Sequence, residues 1–262
     1  MNGGTEIRLL SAGAGLLQAV VLLDSGVEHY RGSFHNPSMW LSLLAATSGI
    51  GVDGARLLTG PAQRLPVARG TAQAGAATVG LVGLGFHLFN IDKRPGGFSF
   101  GNLFHAAPLG APAALVLAGA ISAAADRTQV GVIADGRALA GLCAAGIAGT
   151  VAEAGLLHFR GAFQNPAMWL PIALPPLAAA LLARDAASGS PRRATAAMLG
   201  VTAAVGVAGV AFHAHGIARR MGGWRNWRQN LLAGPPLPAP PAFTGLAIAG
   251  LGALMMMRRT RG

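Results

Sequence analysis

The chain has 262 residues, 52% of them hydrophobic and only 11% charged, with 39 Gly and 16 Pro. A water-soluble chain carries about 25% charged residues and a disordered one is poor in apolar residues, so both classes are excluded; Gly and Pro keep no three-residue period, which excludes a collagen-like chain. The net charge of +11 comes from 20 Lys and Arg scattered between apolar runs rather than gathered in a stripe or tail, which argues against a nucleic-acid partner and leaves a multi-pass membrane protein.

Apolar runs near 20 residues mark membrane spans, because a helix rises about 1.5 Å per residue across a core of about 30 Å. In chain order they are read at about 9–29, 39–58, 71–89, 107–125, 138–158, 168–184, 194–213 and 241–257. The first follows Met1-Asn2-Gly3-Gly4 and has no small-residue cleavage motif behind it, so it is expected to stay as an anchor. The fourth and eighth are led by Pro, and the sixth contains Pro171, Pro175 and Pro176, which lipid tolerates where neighbours satisfy the freed carbonyls. The single Cys, Cys143, lies inside the fifth run, so no internal disulfide can form and no CxxC motif exists.

An internal repeat sets the expected architecture. Residues 24–41 return as 153–170, identical at ten of eighteen positions without a gap, at an offset of 129. A second block, Gly83, Phe86, His87, Lys93, Arg94, Gly96, Gly97 and Phe98, returns as Gly209, Phe212, His213, Arg219, Arg220, Gly222, Gly223 and Trp224 at an offset of 126. The expected fold is therefore an all-α integral membrane protein of eight transmembrane helices. Residues 1–129 and 130–262 form tandem four-helix repeats related by a pseudo-twofold axis along the membrane normal, with Gly and Ala permitting close helix approach.

The two membrane faces differ in chemistry. All seven His (His29, His35, His87, His105, His158, His213, His215), all four Trp, Tyr30 and nine of ten Phe fall at the face reached after the odd-numbered spans, here called the histidine face. Aromatic belts ordinarily flank both interfaces, so anchoring alone does not account for this bias. Of the 20 Lys and Arg, 12 lie on the opposite face, called the arginine face, against 8 on the histidine face. The positive-inside rule then makes the arginine face cytoplasmic, with both termini inside, and the excess of Arg over Lys, as in a GC-rich bacterial genome, leads to the expectation of a bacterial inner membrane.

His29 and His87 close the first and third spans, which run in the same direction; His158 and His213 match them in the second half. Two imidazoles from two helices at one depth suit the axial positions of a haem b, and a copper or other metal site is a variant. Gly26, Gly155, Gly83 and Gly209, each one turn before a His, are expected to leave room for a flat macrocycle, giving two equivalent sites. The competing reading is an interfacial His bonded to a loop carbonyl. Asp24 and Glu153 lie inside the same interface, with Arg31 and Arg160 seven residues on. They read either as proton acceptors beside a quinone or redox centre, or partners of a ligand His, or as ion pairs fixing a helix end. The links from Arg31 to Trp40 and from Arg160 to Trp169 are expected to be turn chemistry. Arg219, Arg220, Trp224, Arg225, Trp227 and Arg228 form a basic, aromatic loop suited to an acidic partner surface or anionic headgroups.

These readings converge on a membrane-embedded redox subunit, haem-binding or quinone-interacting. It would pass electrons between an extracytoplasmic dehydrogenase or carrier and the respiratory chain, as an anchor rather than a self-contained enzyme. The expected partners are lipids and that redox protein, with no nucleic acid. A small-solute or ion transporter and a cofactor-free assembly subunit stand as alternatives. Against transport, the even-numbered spans carry almost no polar group at mid-depth. No nucleophile triad, phosphate loop or zinc signature is present.

Overall fold

The computed structural model describes residues 4–59, 66–129 and 134–259, which are helical with short links and contain no strand. Arg64 and Arg261, two cations counted on the arginine face, lie outside the described residues. The helices are α1 (Gly4–Arg31), α2 (Met39–Thr59), α3 (Pro66–Asp92), α4 (Phe100–His105), α5 (Gly110–Gln129), α6 (Gly136–Arg160), α7 (Leu170–Ala173), α8 (Pro175–Ser188), α9 (Arg193–Ala218), α10 (Trp227–Ala233) and α11 (Pro241–Arg259).

Among the described residues, seven segments are long and apolar enough to cross a membrane: α1, α2, α3, α6, residues 166–188, α9 and α11. The 28 residues of α1 exceed the roughly 20 that a bilayer core requires. The fourth expected span forms α5, 20 residues long, but this helix is not among the seven. It is rich in Ala and Gly and wedged between α1 and α3, where protein rather than lipid surrounds Leu115, Ala118, Ile121 and Ala125. The sixth span is interrupted at Leu174, because Pro175 lacks the N–H that would continue α7.

The bundle is built around α1 and α11. Half of the α1 span and 72% of the α11 span are buried, against 17–22% for α2, α3, residues 166–188 and α9. The outer helices accordingly turn Leu44, Leu81, Val82, Leu177 and Val207 outward, where lipid would meet them. α1 lies along α11 because both are notched: a Cβ added to Gly13 would sit 2.6 Å from the Gly245 carbonyl oxygen. At the positions 129 residues after Gly13 and 128 before Gly245 stand Leu142 and Leu117, and there α5 and α6 touch over a much shorter length. The buried core between the halves is aliphatic, with Leu10, Leu17, Ile121, Ile147, Leu182, Leu199, Leu246 and Leu254 in one cluster. In lipid such packing holds helices through dispersion and close approach rather than water exclusion.

The links on the histidine face adopt the same local geometry twice. Ser33 and Phe34 take positive φ (57° and 45°), as do Ala162 and Phe163 (54° and 47°), a conformation that costs a side-chain-bearing residue about 1–3 kcal/mol unless its surroundings impose it. Phe34 stacks on Trp40 at 4.3 Å between ring centroids, and Phe163 on Trp169 at 4.2 Å. Asn36 Oδ1 accepts from Ser38 N, and Asn165 Oδ1 from Ala167 N, setting the start of the following helix. The longer links each contain a Gly pair at positive φ (Gly96 and Gly97; Gly222 and Gly223) and a short helix, α4 or α10, which the apolar runs do not announce. Asn102 Nδ2 donates to the carbonyls of Pro95 and Gly97; Asn230 Nδ2 donates likewise to Met221 and Gly223.

Candidate functional site

Each of the four paired histidines is held by a backbone carbonyl. His29 Nδ1 donates to Met39 O (3.0 Å) and His158 Nδ1 to Met168 O (2.7 Å), so the Arg-Gly-x-Phe-x-Asn-Pro-x-Met-Trp link delivers the acceptor ten residues after its own His. His87 Nδ1 donates to Pro108 O and His213 Nδ1 to Pro236 O, both at 2.7 Å. A carbonyl only accepts, so Nδ1 carries a proton, and in the neutral ring Nε2 is then the nitrogen with the lone pair. This is the arrangement in which an imidazole binds a metal through Nε2. The bland reading of each His, a ring bonded to a loop carbonyl, and the ligand reading are thus one geometry seen from the two ring nitrogens.

His29 and His87 are close enough for the charge of one to bear on the other, and so are His158 and His213. The halves differ in what lies beside the pair. His29 and His87 line a cavity of about 1190 Å³ between α1, α2, α3, the α4–α5 link and the α10–α11 link, whereas His158 and His213 do not line it. The surroundings of the two pairs thus differ at this cavity. Two of the glycines stand against neighbouring helix starts: a Cβ on Gly83, which also lines the cavity, would meet Pro112 at 3.4 Å, ordinary contact distance, and one on Gly209 would meet Pro240 at 2.6 Å, closer than a side chain allows. Gly26 and Gly155 face Leu43 and Ile172 across the next helix, at about van der Waals distance.

The carboxylates meet in this one cavity instead of serving a half each. Asp24 and Glu153 both line it and interact electrostatically. Glu153, from α6, accepts from Gly110 N (3.0 Å) and so caps α5 across the boundary between the halves. The residue matching Gly110, 128 positions on, is Pro238, which has no N–H to give. Asp24 has no hydrogen bond among the described residues. Arg31 pairs with Glu28 rather than Asp24. Arg160 has no such acid, since Leu157 stands at that position; its guanidinium lies over the Phe104 ring at 5.6 Å. Arg31, Arg94, Arg160, His35 and His105 add further polar groups to the cavity wall.

The basic loop is spread over the histidine face. Trp224 and Trp227 are about half exposed and Met221 almost wholly so, beside exposed Arg219, Arg220 and Arg225. Arg228 turns back, donating to the Tyr30 hydroxyl on α1. No three or more His, Cys, Asp or Glu gather as a metal-holding group among the described residues.

No protein-family model, curated protein or solved structure matches the chain, so its chemistry stands on its own residues.

Two features lie beyond the sequence-derived set. Pro108 and Pro236 supply the carbonyls for His87 and His213, and the signal was present: Pro108-Leu-Gly-Ala-Pro112 returns as Pro236-Leu-Pro-Ala-Pro240. The second is a buried polar network deep in the first half, on helices read as almost free of polar groups. Asp53 and Ser122 are wholly buried and bonded to each other at 2.8 Å, with Arg56, Gln73 and Asp126 around them.

Proposed function

We propose that the chain is a membrane-embedded electron-transfer subunit that binds a haem b between His29 and His87, with a quinone as the alternative occupant of the same cavity. The observation that carries the reading is the shared Nδ1–carbonyl bond of all four histidines, which leaves Nε2 free on paired helices. Two protein ligands suffice for an iron whose other positions a porphyrin fills, and no three His, Cys, Asp or Glu among the described residues gather closely enough to hold a metal by themselves, which favours haem over copper or another protein-held metal. At about 1190 Å³ the cavity lies above the usual 300–1,000 Å³ for small-molecule sites, which gives a macrocycle room. A bound haem b supplies one-electron transfer. Around it, the Met39 and Pro108 carbonyls would hold the ring tautomers, Arg31, Arg94 and Arg160 would neutralise acidic substituents, and Asp24 would take or give a proton.

In the same reading α5 crosses as an eighth span, and the halves are tandem four-helix units related by a pseudo-twofold axis. The recurring links and carbonyl locks support it. The histidine face is extracytoplasmic in a bacterial inner membrane, with both termini inside. The Arg219–Arg228 loop would dock an acidic face of the electron donor, between which and the respiratory chain this subunit would pass electrons.

A visible spectrum of the purified chain from haem-replete cells tests this. We expect a Soret band and resolved α and β bands on reduction, both lost in His87→Ala and kept in His213→Ala. A colourless preparation that also fails to bind a short-chain ubiquinone overturns the reading.

A further inference from the structure

Beneath the cavity the interior of the first half changes character twice. The cavity floor includes Val21 and Leu115, which belong to a small apolar cluster with Ala45, Ala46 and Ala76. One turn below Val21 stands Gln18, wholly buried and seated against Gly49, both its amide atoms without a hydrogen-bond partner among the described residues. One turn beyond Gly49 is Asp53, also wholly buried. Its Oδ1 accepts from Ser122 Oγ (2.8 Å) and Arg56 Nη1 (2.7 Å), while its Oδ2 finds no hydrogen-bond partner among the described residues. Arg56 Nη2 reaches Asp126 Oδ1 at 2.7 Å, Gln73 Nε2 reaches Asp126 Oδ2 at 2.9 Å, and Arg69 lies 3.5 Å from Asp126. The Asp126 side chain is 19% exposed, toward the arginine face.

The second half shows that the frame does not need this network. The positions matching Gln18, Asp53, Gln73, Ser122 and Asp126 are Ile147, Leu182, Leu199, Gly250 and Leu254. They meet in the same way: a Cβ on Gly250 would touch Leu182 at 3.2 Å and Leu199 at 3.3 Å. Buried ion pairs are often replaced by apolar side chains without loss of stability, and an ionisable group inside a membrane span marks function by default. Two guanidinium groups, Arg56 and Arg69, already balance the carboxylates of Asp53 and Asp126 and would repel a metal cation. A proton needs only a lone pair, and Asp53 Oδ2 offers one.

We propose that the first half contains a gated proton path from the cavity on the histidine face, past the Val21–Leu115 cluster and Gln18, to Asp53 and out by Ser122 and Asp126. The cluster is the gate: a short apolar constriction between two polar regions blocks transfer while dry and passes it when wetted. A proton from the cavity, where Asp24 stands, binds Asp53 Oδ2; only O–H bonds form and break. Arg56 stays paired with Asp126 while Asp53 is neutral, so the network never holds an isolated charge. The proton then passes to Asp126, one turn on along α5, through water that enters as the gate wets; Ser122 Oγ and Asp126 Oδ2 both accept from Gln73 Nε2, which holds the two acceptors side by side and carries no proton itself. The path does not depend on a haem in the cavity.

The test is proton flux into liposomes of full-length protein enclosing a pH dye, driven by a potassium diffusion potential. Leu115→Ala widens the gate and is expected to raise the flux about tenfold above wild type, the effect of a modest drop in barrier. Adding Asp53→Asn to Leu115→Ala should return it to the protein-free rate. Gel filtration checks folding, and if the Asn variant fails to fold, Gln18→Leu in the Leu115→Ala background keeps every charge and should abolish the flux equally. The proposal is overturned if Leu115→Ala conducts no faster than empty liposomes, if flux survives the second substitution, or if the current carried is sodium or potassium rather than protons.

Discussion

Where the first half sets Asp53, Gln73 and Ser122 against one another, the second half sets Leu182, Leu199 and Gly250, inside helices of matching order. The halves share what fixes the backbone: Asn-bonded links, stacked Phe–Trp pairs, and histidines locked to carbonyls. They differ in what fills it. The wholly buried carboxylate of the second half, Asp185, stands 129 residues after Arg56 and turns to the α8–α9 link, accepting from Thr195 Oγ1 (2.6 Å) and Arg192 N (2.9 Å). In one half a buried acid thus bridges helices through the interior; in the other it ties a turn. The lesson is that link chemistry specifies this bundle and leaves the interior free to specialise.

That contrast can be pressed by substitution. The largest effect is expected from Arg56→Leu, which strands Asp53 and Asp126 in the interior and should cost about 3–5 kcal/mol in reversible unfolding from detergent. Thr195→Val in the second half should cost only about 1 kcal/mol, because Asp185 keeps its bond to Arg192 N. Equal losses would mean the two polar sets play the same part. Next, Gly13→Leu gives α1 the residue found at its second-half counterpart. It forces α1 away from the Gly245 carbonyl, for an expected loss of about 1–3 kcal/mol read from the thermal midpoint. The smallest contrast is at the cavity mouth. Glu153→Gln weakens the cap on α5 and should lower stability by about 0.5–2 kcal/mol, while Asp24→Asn, at a carboxylate without a hydrogen bond, should leave the midpoint where it is.

Seven of the eight expected spans, the interrupted sixth run and the recurring links were legible because each rests on local chemistry: apolar length, a Pro ring, an Asn before Pro. The four histidines stand at corresponding positions in the two halves, while the carbonyl that each meets comes from a link further along the chain. The glycines before them were harder to read, because spacing along one helix does not say whether a gap faces a cavity, the neighbour's Pro112 or Pro240, or both. Asp24 and Glu153 occupy matching positions, and Glu28 against Leu157 already sets their surroundings apart in the sequence; Gly110 against Pro238 separates them further, through a helix start that neither residue lies near in the chain. Asp53 and Arg56 resembled ordinary charges closing a span. Only the arrival of Ser11, Gln73, Ser122 and Asp126 from three other helices turns them into a network, and no single run records that meeting.

Gly13 beside Gly245 lets one seam between the halves close tightly, while Leu117 and Leu142 hold its sister seam apart. That unequal packing brings Glu153 of the later stretch into the wall beside Asp24 of the earlier one, so that two kindred stretches of sequence end in unlike company.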